Sequence, residues 1–213
     1  MVKALGKIKI RPSKKLWFAV AVACLLVLGA FWQWVIMDWV TPFLFPAVQL
    51  IGFALLTMSL VVSISTLASR LRKGQGLDVG PLGINLVTIV LLLLVPFTTL
   101  WLDANYYWHR AARIQVVEQV HAGLLKPNVS HNASLIRLDS LSTLSLGGNE
   151  VVVRDDPRGS YVLFFTFRGI LDHYSGFLYV PTGGNPESYA TAVGDHFIEI
   201  TPIEPHWFFV AAA

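Results

Sequence analysis

Cysteine is almost missing from this chain. Cys24 is the only one among its 213 residues, so no internal disulfide can form, and every folded part must be held by packing and hydrogen bonds. Internal repeats, low-complexity tracts and phosphate-binding glycine loops are also missing from the sequence. These absences argue against a disulfide-stapled scaffold, a repeat architecture and a P-loop enzyme.

Charged side chains are missing from the middle of three long apolar runs in the first half of the chain. The runs cover residues 16–40, 43–67 and 81–102, and each reaches the about 20 residues that a helix needs to cross the hydrocarbon layer. The sequence therefore predicts a membrane protein with three transmembrane helices. A cleaved signal peptide is the alternative for the first run, but such leaders have only about 7 to 15 apolar residues.

Lysine and arginine are found on only some of the connections between these runs. The tail 1–15 contains six of them, and Arg70, Arg72 and Lys73 lie between the second and third runs, whereas the first connection has none. Because cationic loops resist translocation, the N-terminus is predicted to be cytoplasmic. Three crossings then place everything after Asp103 outside the cytoplasm. This layout suits a multi-pass protein of the plasma membrane, and a bacterial inner membrane in particular.

The charge is split in the same way along the chain. The net charge of +3 combines +7 for residues 1–102 with −4 for residues 103–213. The cations of the first half are orientation signals beside the bilayer, and the second half is acidic. An acidic domain repels polyanions, so nucleic acid is excluded as a partner.

The predicted spans contain small residues instead of ionisable ones. No charge lies at mid-span, which argues against a transport pathway,. Ala19 with Ala23, and Ser59 with Ser63, are small residues at a spacing of four. Such pairs predict faces where helices pack closely, within one protomer or between protomers.

Pro96 interrupts the third run, where it removes a backbone hydrogen bond and bends a helix. Beyond it, apolar residues at helical spacing continue as far as Lys126 and Pro127,. The sequence therefore predicts a stalk helix over residues 103–126 that continues span three out of the membrane.

After Pro127 the apolar period changes from helical to alternating, with many Val, Ile, Phe, Tyr and Thr residues,. The predicted strands cover residues 141–146, 150–154, 161–168, 173–180, 196–201 and 206–211. The predicted fold class of the extracytoplasmic residues 127–213 is therefore α+β, in which the stalk helix and one short helix accompany an antiparallel sheet of about six strands.

Turn and cap residues punctuate this domain. Gly147-Gly148 predicts a two-residue hairpin turn, and residues 156–159 predict a second turn with proline in its second position,. Asn185-Pro186-Glu187 has the order of N-cap, first helical residue and early acid, and Gly194 ends that short helix. Residues 161–168 are apolar on both faces, which predicts a central strand.

Two catalytic or binding arrangements are candidates. Asp172, His173 and Ser175 have the residue types of a nucleophilic triad, with His196 and His206 as further imidazoles. Because neighbours on a strand point to opposite faces, Asp172 and His173 are poorly placed to act together. The structural alternative is that Asp172 serves a turn and Gly176 a close backbone contact.

The second arrangement is a metal site. His173, His196 and His206 begin consecutive predicted strands and could converge at one end of the sheet,. They lack a recognised ligand spacing, however, and scattered histidines explain the same pattern. We therefore predict no metal and no cofactor.

The sequence favours a binding or assembly module of the cell envelope over an enzyme. We expect a three-span anchor over residues 16–102 that carries an extracytoplasmic domain, with the lipid bilayer and another membrane or envelope protein, or a second copy, as partners. A membrane-bound hydrolase that uses Asp172 to Ser175 is the alternative from another class. A third hypothesis is an immunity or stress protein that acts within the membrane.

Overall fold

The computed structural model describes residues 13–74, 78–130, 132–139, 143–169 and 173–212. The chain divides into two compact units. The helical unit consists of Met1–Phe31 and Pro46–Phe97, and the α+β unit consists of Trp32–Phe45 and Thr98–Ala213. Most of the predicted basic tail lies outside the described residues.

The first helices are long and apolar. Helix α1 is Lys14–Phe31, α2 is Gln33–Arg72, α3 is Gly80–Leu94 and α4 is Phe97–His121. In the described part of the chain, α1 and α2 can each cross a membrane, and α3 with α4 counts as a third span if the pair is one broken helix. Only 11% of the apolar window of α1 or α2 is buried, so these helices expose apolar surface that water does not solvate favourably. The chain is thus compatible with membrane anchoring.

The first predicted span is shorter than its apolar run. Helix α1 ends at Phe31, and α2 begins at Gln33. Within α2, the backbone at Thr41 is non-helical (φ 69°, ψ 152°) and marks a kink. Thr41 precedes a proline, which disfavours the helical conformation at that position. Residues 32–45 belong to the α+β unit. The apolar run did not indicate this, because apolar residues that pack on protein and those that face lipid look alike in sequence.

The third run is also divided. Helix α3 ends at Leu94, and α4 begins at Phe97, which agrees with the predicted interruption at Pro96. Helix α4 covers most of the predicted stalk and ends at His121, a few residues before the predicted stop.

The α+β fold class is confirmed by a six-stranded antiparallel sheet with the strand order β1-β2-β3-β4-β6-β5. Strands β1 to β3 are Leu135–Arg137, Glu150–Asp156 and Gly159–Arg168. Strands β4 to β6 are Tyr174–Tyr179, Phe197–Glu204 and Trp207–Ala212, and helix α5 is Pro186–Val193.

The core has two layers because the sheet is covered on both faces. On one face, α4 contributes Tyr106 and Val117 to a cluster with Phe164 of β3. On the other face, α5 contributes Tyr189 to a cluster with Leu163. Neighbouring residues of β3 thus belong to different clusters, which confirms that this strand is central. Each large apolar side chain buried in this way contributes about 2–3 kcal/mol of transfer free energy.

The predicted strand 141–146 is wrong where the structure describes it. Residues 144–149 form bends and turns, and residues 140–142 lie outside the described part of the chain. The side chain of Asn149 accepts hydrogen bonds from the backbone amides of Leu144 and Ser145 at 2.9 and 3.3 Å. These bonds replace the hydrogen bonds that the two amides would make to a neighbouring strand. Gly147 and Gly148 have positive φ, but they lie in this turn and do not close a hairpin. The first strand is instead β1, whose three residues are too short to show an alternating pattern.

Local signals predicted α5 correctly. The Asn185 side chain accepts a hydrogen bond from the Glu187 amide at 3.1 Å, and Gly194 ends the helix with φ 80°. The polypeptide between β2 and β3 turns within two residues, since Asp156 pairs with Gly159, as the predicted turn requires.

Candidate binding cavity

Two strand irregularities lie at the same end of the sheet. The register shifts in β3 between Phe165 and Phe167 and in β5 between Phe197 and Glu199. Each such bulge adds one residue and re-aims the side chains that follow it. Bulges are common beside binding and active sites, so this end of the sheet is a candidate site.

The bulges align four residues in one row across the sheet. Phe167 pairs with Ser175, Ser175 pairs with Ala211, and Ala211 pairs with Glu199. All four residues line a cavity of about 420 Å³. Without the extra residue in β3 or β5, Phe167 or Glu199 would point to the opposite face. The bulges therefore build the floor of the cavity.

The opposite wall comes from the start of α4 and from the segment 32–45. Thr98 and Leu102 line the cavity together with Trp34. The Gln33 side-chain amide donates to the Thr98 hydroxyl at 2.7 Å, which joins the two segments. The Trp34 ring packs against Phe167 with centroids 5.4 Å apart. The cavity is thus formed by elements that are distant in sequence.

A smaller cavity of about 120 Å³ shares Trp34 and Phe167 with the first one. Its charged lining residues already have partners: Asp38 accepts from the Gly147 amide at 3.0 Å, and Arg168 donates to Glu150 at 2.8 Å. The indole N–H of Trp34 is buried and has no acceptor among the described residues. A buried donor without a partner costs about 1–3 kcal/mol, so a bound group with an acceptor atom would stabilise this site.

The described titratable residues that line the larger cavity do not form a catalytic set. Burial, followed by the nearby Tyr189 and the hydrogen bond to Asp195, raises the pKa of Tyr174, which keeps this phenol neutral. His173 and Glu199 lie at exposed positions of the lining. The lining as a whole is mostly apolar with a few polar groups, which is typical of a binding site.

The predicted triad residues are only partly brought together. Ser175 is buried, and its hydroxyl lies 2.9 Å from the Thr166 hydroxyl. His173 lines the same cavity, but none of the hydrogen bonds between described residues joins a histidine to Ser175. Asp172 lies outside the described residues, and the exposed His196 precedes β5.

His206 lies at the opposite end of the sheet from His173 and His196. Strand β6 runs antiparallel to both β4 and β5, so its first residues lie beside the last residues of those strands. One ring nitrogen of His206 is 3.0 Å from the Val180 carbonyl oxygen. The three histidines therefore do not converge, and the described residues contain no group of three His, Cys, Asp or Glu side chains that could hold a metal ion.

Sequence reasoning missed the residues that matter most for the cavity. Trp34 lies within the apolar run 16–40 and Phe167 within the predicted strand 161–168, and neither was a candidate site residue. The signal that could have revealed this segment was the polar pair Gln33 and Asp38 within an apolar run. Their side chains form hydrogen bonds with Thr98 and Gly147 of the α+β unit.

Arg113 is a second residue that the sequence did not reveal. It is 1% exposed and donates to the Leu144 carbonyl and to the carbonyl and side chain of Asn105. Its guanidinium also lies over the Phe177 ring, 4.6 Å from the centroid. It lies seven residues after Tyr106 on the buried face of α4, which was the only hint of its burial.

The predicted helix contacts lie in the helical unit. Ser59 and Ser63 are buried and bond to Asn85 of α3 at 2.9 and 3.0 Å, so this pair packs within the chain. Ala19 is fully buried, whereas Ala23 lines a groove between α1 and α3.

Comparisons of the chain with protein-family models, with curated proteins and with solved structures find no match. Function is therefore inferred from the geometry of the described residues.

Proposed function

We propose that this chain is a membrane-anchored binding module, in which three spans hold the α+β unit outside the cytoplasm, where it contacts another envelope protein. The observation that carries the proposal is the bulge-built cavity of about 420 Å³. That volume lies within the about 300–1,000 Å³ of typical ligand sites.

The anchor is supported by composition and exposure. Helices α1 and α2 are long and apolar enough to be spans, and α3 with α4 would be the third if the bent pair is one broken span. Side chains such as Phe53, Leu93 and Leu94 are 69–77% exposed, and lipid would cover them. The basic residues around Arg70 and Lys73 favour a cytoplasmic location for that connection, and thus an outer location for the α+β unit, in a bacterial inner membrane.

A protein partner is favoured by what the cavity offers. Ile198 lines the cavity and is 66% exposed, so an apolar side chain that enters beside it would remove further apolar area from water. The Trp34 N–H, which has no acceptor among the described residues, is a donor that a backbone or side-chain carbonyl of the partner would satisfy. These features suit an apolar segment of an envelope protein. The hydrolase alternative would need a base beside Ser175, and the Thr166 hydroxyl occupies that position.

Site-specific photocrosslinking in membranes tests this function. A photoreactive phenylalanine analogue at Ile198 is expected to form an adduct with an envelope protein, whereas the analogue at the exposed Glu187 of α5 is not. Ala211→Leu fills the cavity floor and should abolish the Ile198 adduct, while Ala192→Leu on the exposed face of α5 should leave it unchanged. Equal adducts from Ile198 and Glu187, or none at either, would contradict the proposal. Adducts only between copies would replace the envelope partner with self-association.

A further inference from the structure

The helical unit contains a basic cavity at one end. Its volume is about 310 Å³, and its charged lining residues are four cations and one carboxylate, namely Lys14, Lys15, Arg70, Lys73 and Asp78. Hydroxyl groups complete the lining. Four cations against one acid leave a local charge of +3, so an anion is the complementary ligand.

Asp78 is the only carboxylate among the described residues that line the cavity. Asp78 lies 3.6 Å from Arg70 and accepts a hydrogen bond from Ser13 at 3.5 Å. The Lys15 ammonium donates to the Thr66 hydroxyl at 2.8 Å, which is a neutral acceptor. Among the lining residues one carboxylate thus faces four cations, and a phosphate group would add charged acceptors to this cavity,.

An apolar groove begins next to this cavity. It has a volume of about 660 Å³, lies between α1 and α3, and includes Val27, Gly83 and Val87 in its lining. Gly80 also lines the groove, and a Cβ atom on Gly80 would lie 3.7 Å from the Asp78 carboxylate of the basic cavity. The charged cavity and the apolar groove therefore meet at residues 78–80.

We infer that the helical unit binds one anionic phospholipid, with its phosphate headgroup in the basic cavity and an acyl chain in the groove between α1 and α3. A lipid is favoured over a free anion because only a lipid joins a phosphate to an apolar chain that fits the adjoining groove. Basic sites between transmembrane helices are suited to such headgroups. This site is independent of the cavity beside Trp34.

Native mass spectrometry of the full chain in detergent tests whether the basic cavity binds an anionic headgroup. Phosphatidylglycerol is expected to bind at least about fivefold more tightly than phosphatidylcholine. Lys73→Gln removes one cation of the cavity and should weaken phosphatidylglycerol binding about fivefold, which corresponds to about 1 kcal/mol per cation. Arg72→Gln is the matched control, because it removes a neighbouring charge that does not line the cavity. Equal affinities for the two lipids, or an equal loss in both variants, would overturn the inference.

Filling the groove between α1 and α3 tests whether it binds an acyl chain. A side chain at Gly83 would start in open space, with no atom within 4 Å of its Cβ, so Gly83→Leu should fold normally and weaken phosphatidylglycerol binding severalfold. Gly29→Leu has the same free space but lies outside the groove lining, and it should bind like the wild type. Displacement of the lipid by millimolar inorganic phosphate would show a free-anion site and would also overturn the inference.

Discussion

At the residue level, two buried charged side chains, Glu150 and Arg113, stabilise the α+β unit. Their hydrogen-bond partners are of different kinds. Glu150 is 4% exposed and accepts from Arg137 at 2.6 Å and from Arg168 at 2.8 Å. Arg113 has no carboxylate partner among its described hydrogen bonds, and backbone carbonyls and aromatic rings surround it. Both residues join segments that are far apart in sequence, so their roles follow from the fold and not from local pattern.

Removing the Glu150 charge is expected to destabilise the α+β unit. Glu150→Gln leaves two arginines facing a neutral amide, and we expect a loss of about 2 kcal/mol, since both guanidinium groups are partly solvated,. Thermal or denaturant unfolding of the full chain in detergent measures this loss. Glu118→Gln, on the exposed side of α4, should change the free energy of unfolding by less than about 0.5 kcal/mol. An equal effect of the two substitutions would contradict the assigned role of Glu150.

The same carboxylate predicts a pH dependence. Burial acts to raise the pKa of Glu150, but the hydrogen bonds from Arg168 and Arg137 outweigh it and hold this pKa below its usual value. A depressed folded-state pKa contributes stability above the unfolded pKa of about 4.3, and this contribution is lost as the pH falls through the folded value. The wild type should therefore lose more stability than Glu150→Gln as the pH drops below about 4.5. Glu204 retains its own acid sensitivity in both proteins, because hydrogen bonds from Arg110 and Tyr106 outweigh burial and lower its pKa.

Among the secondary-structure elements, β3 and β4 approach each other closely at Gly176, which has no side chain to keep them apart. A Cβ atom on Gly176 would overlap the carbonyl oxygen of Phe164 and lie 2.9 Å from the Leu163 side chain. This confirms the close backbone contact predicted for Gly176. Neighbouring Ser175 belongs to the floor of the cavity, so the approach of the two strands also sets the shape of the site.

Gly176→Ala is expected to force these strands apart. Because the overlap involves backbone atoms that cannot rotate away, we expect a loss of about 2–3 kcal/mol in the free energy of unfolding. Thermal unfolding of the full chain followed by near-ultraviolet circular dichroism measures the loss. Thr201→Ala at an exposed position of β5 is the control and should change stability by less than about 0.5 kcal/mol. A wild-type unfolding temperature for Gly176→Ala would show that the strands accommodate the methyl group.

At the scale of the whole molecule, the proposed topology rests on the placement of cationic side chains. The connection that contains Arg70 and Lys73 and the β-rich second half are proposed to lie on opposite sides of the membrane,. This arrangement would expose the cavity beside Trp34 to the cell envelope and the basic cavity of the helical unit to the cytoplasmic leaflet, where anionic lipids give a negative surface potential.

Reporter fusions test this topology. Alkaline phosphatase, which is active only outside the cytoplasm, should be active when it is fused behind Ala213 and inactive when it is inserted after Lys73. Beta-galactosidase at the same two positions should show the reverse pattern. Phosphatase activity at position 73 without activity at the C-terminus would overturn the orientation and the envelope partner together.

The features that depend on neighbouring residues could be predicted from the amino-acid sequence alone. The cap, proline and glycine around α5, the turn at residues 156–159 and the two-sided apolar pattern of β3 are local, and each has one favourable conformation. The interruption at Pro96 is of the same kind, since proline removes a backbone donor wherever it stands. Hydropathy likewise marked the helices that can enter a membrane.

Long-range contacts in the folded chain, in contrast, determine which apolar residues face protein and how the cavity is built. The packing of residues 32–45 on the α+β unit is invisible in hydropathy, because burial against lipid and burial against protein select the same side chains. The bulges that align Phe167 and Glu199 and the separation of His206 from the other histidines depend on strand pairing over long distances in the chain. These features are fixed by contacts between segments, and for that reason no local pattern in the sequence predicted them.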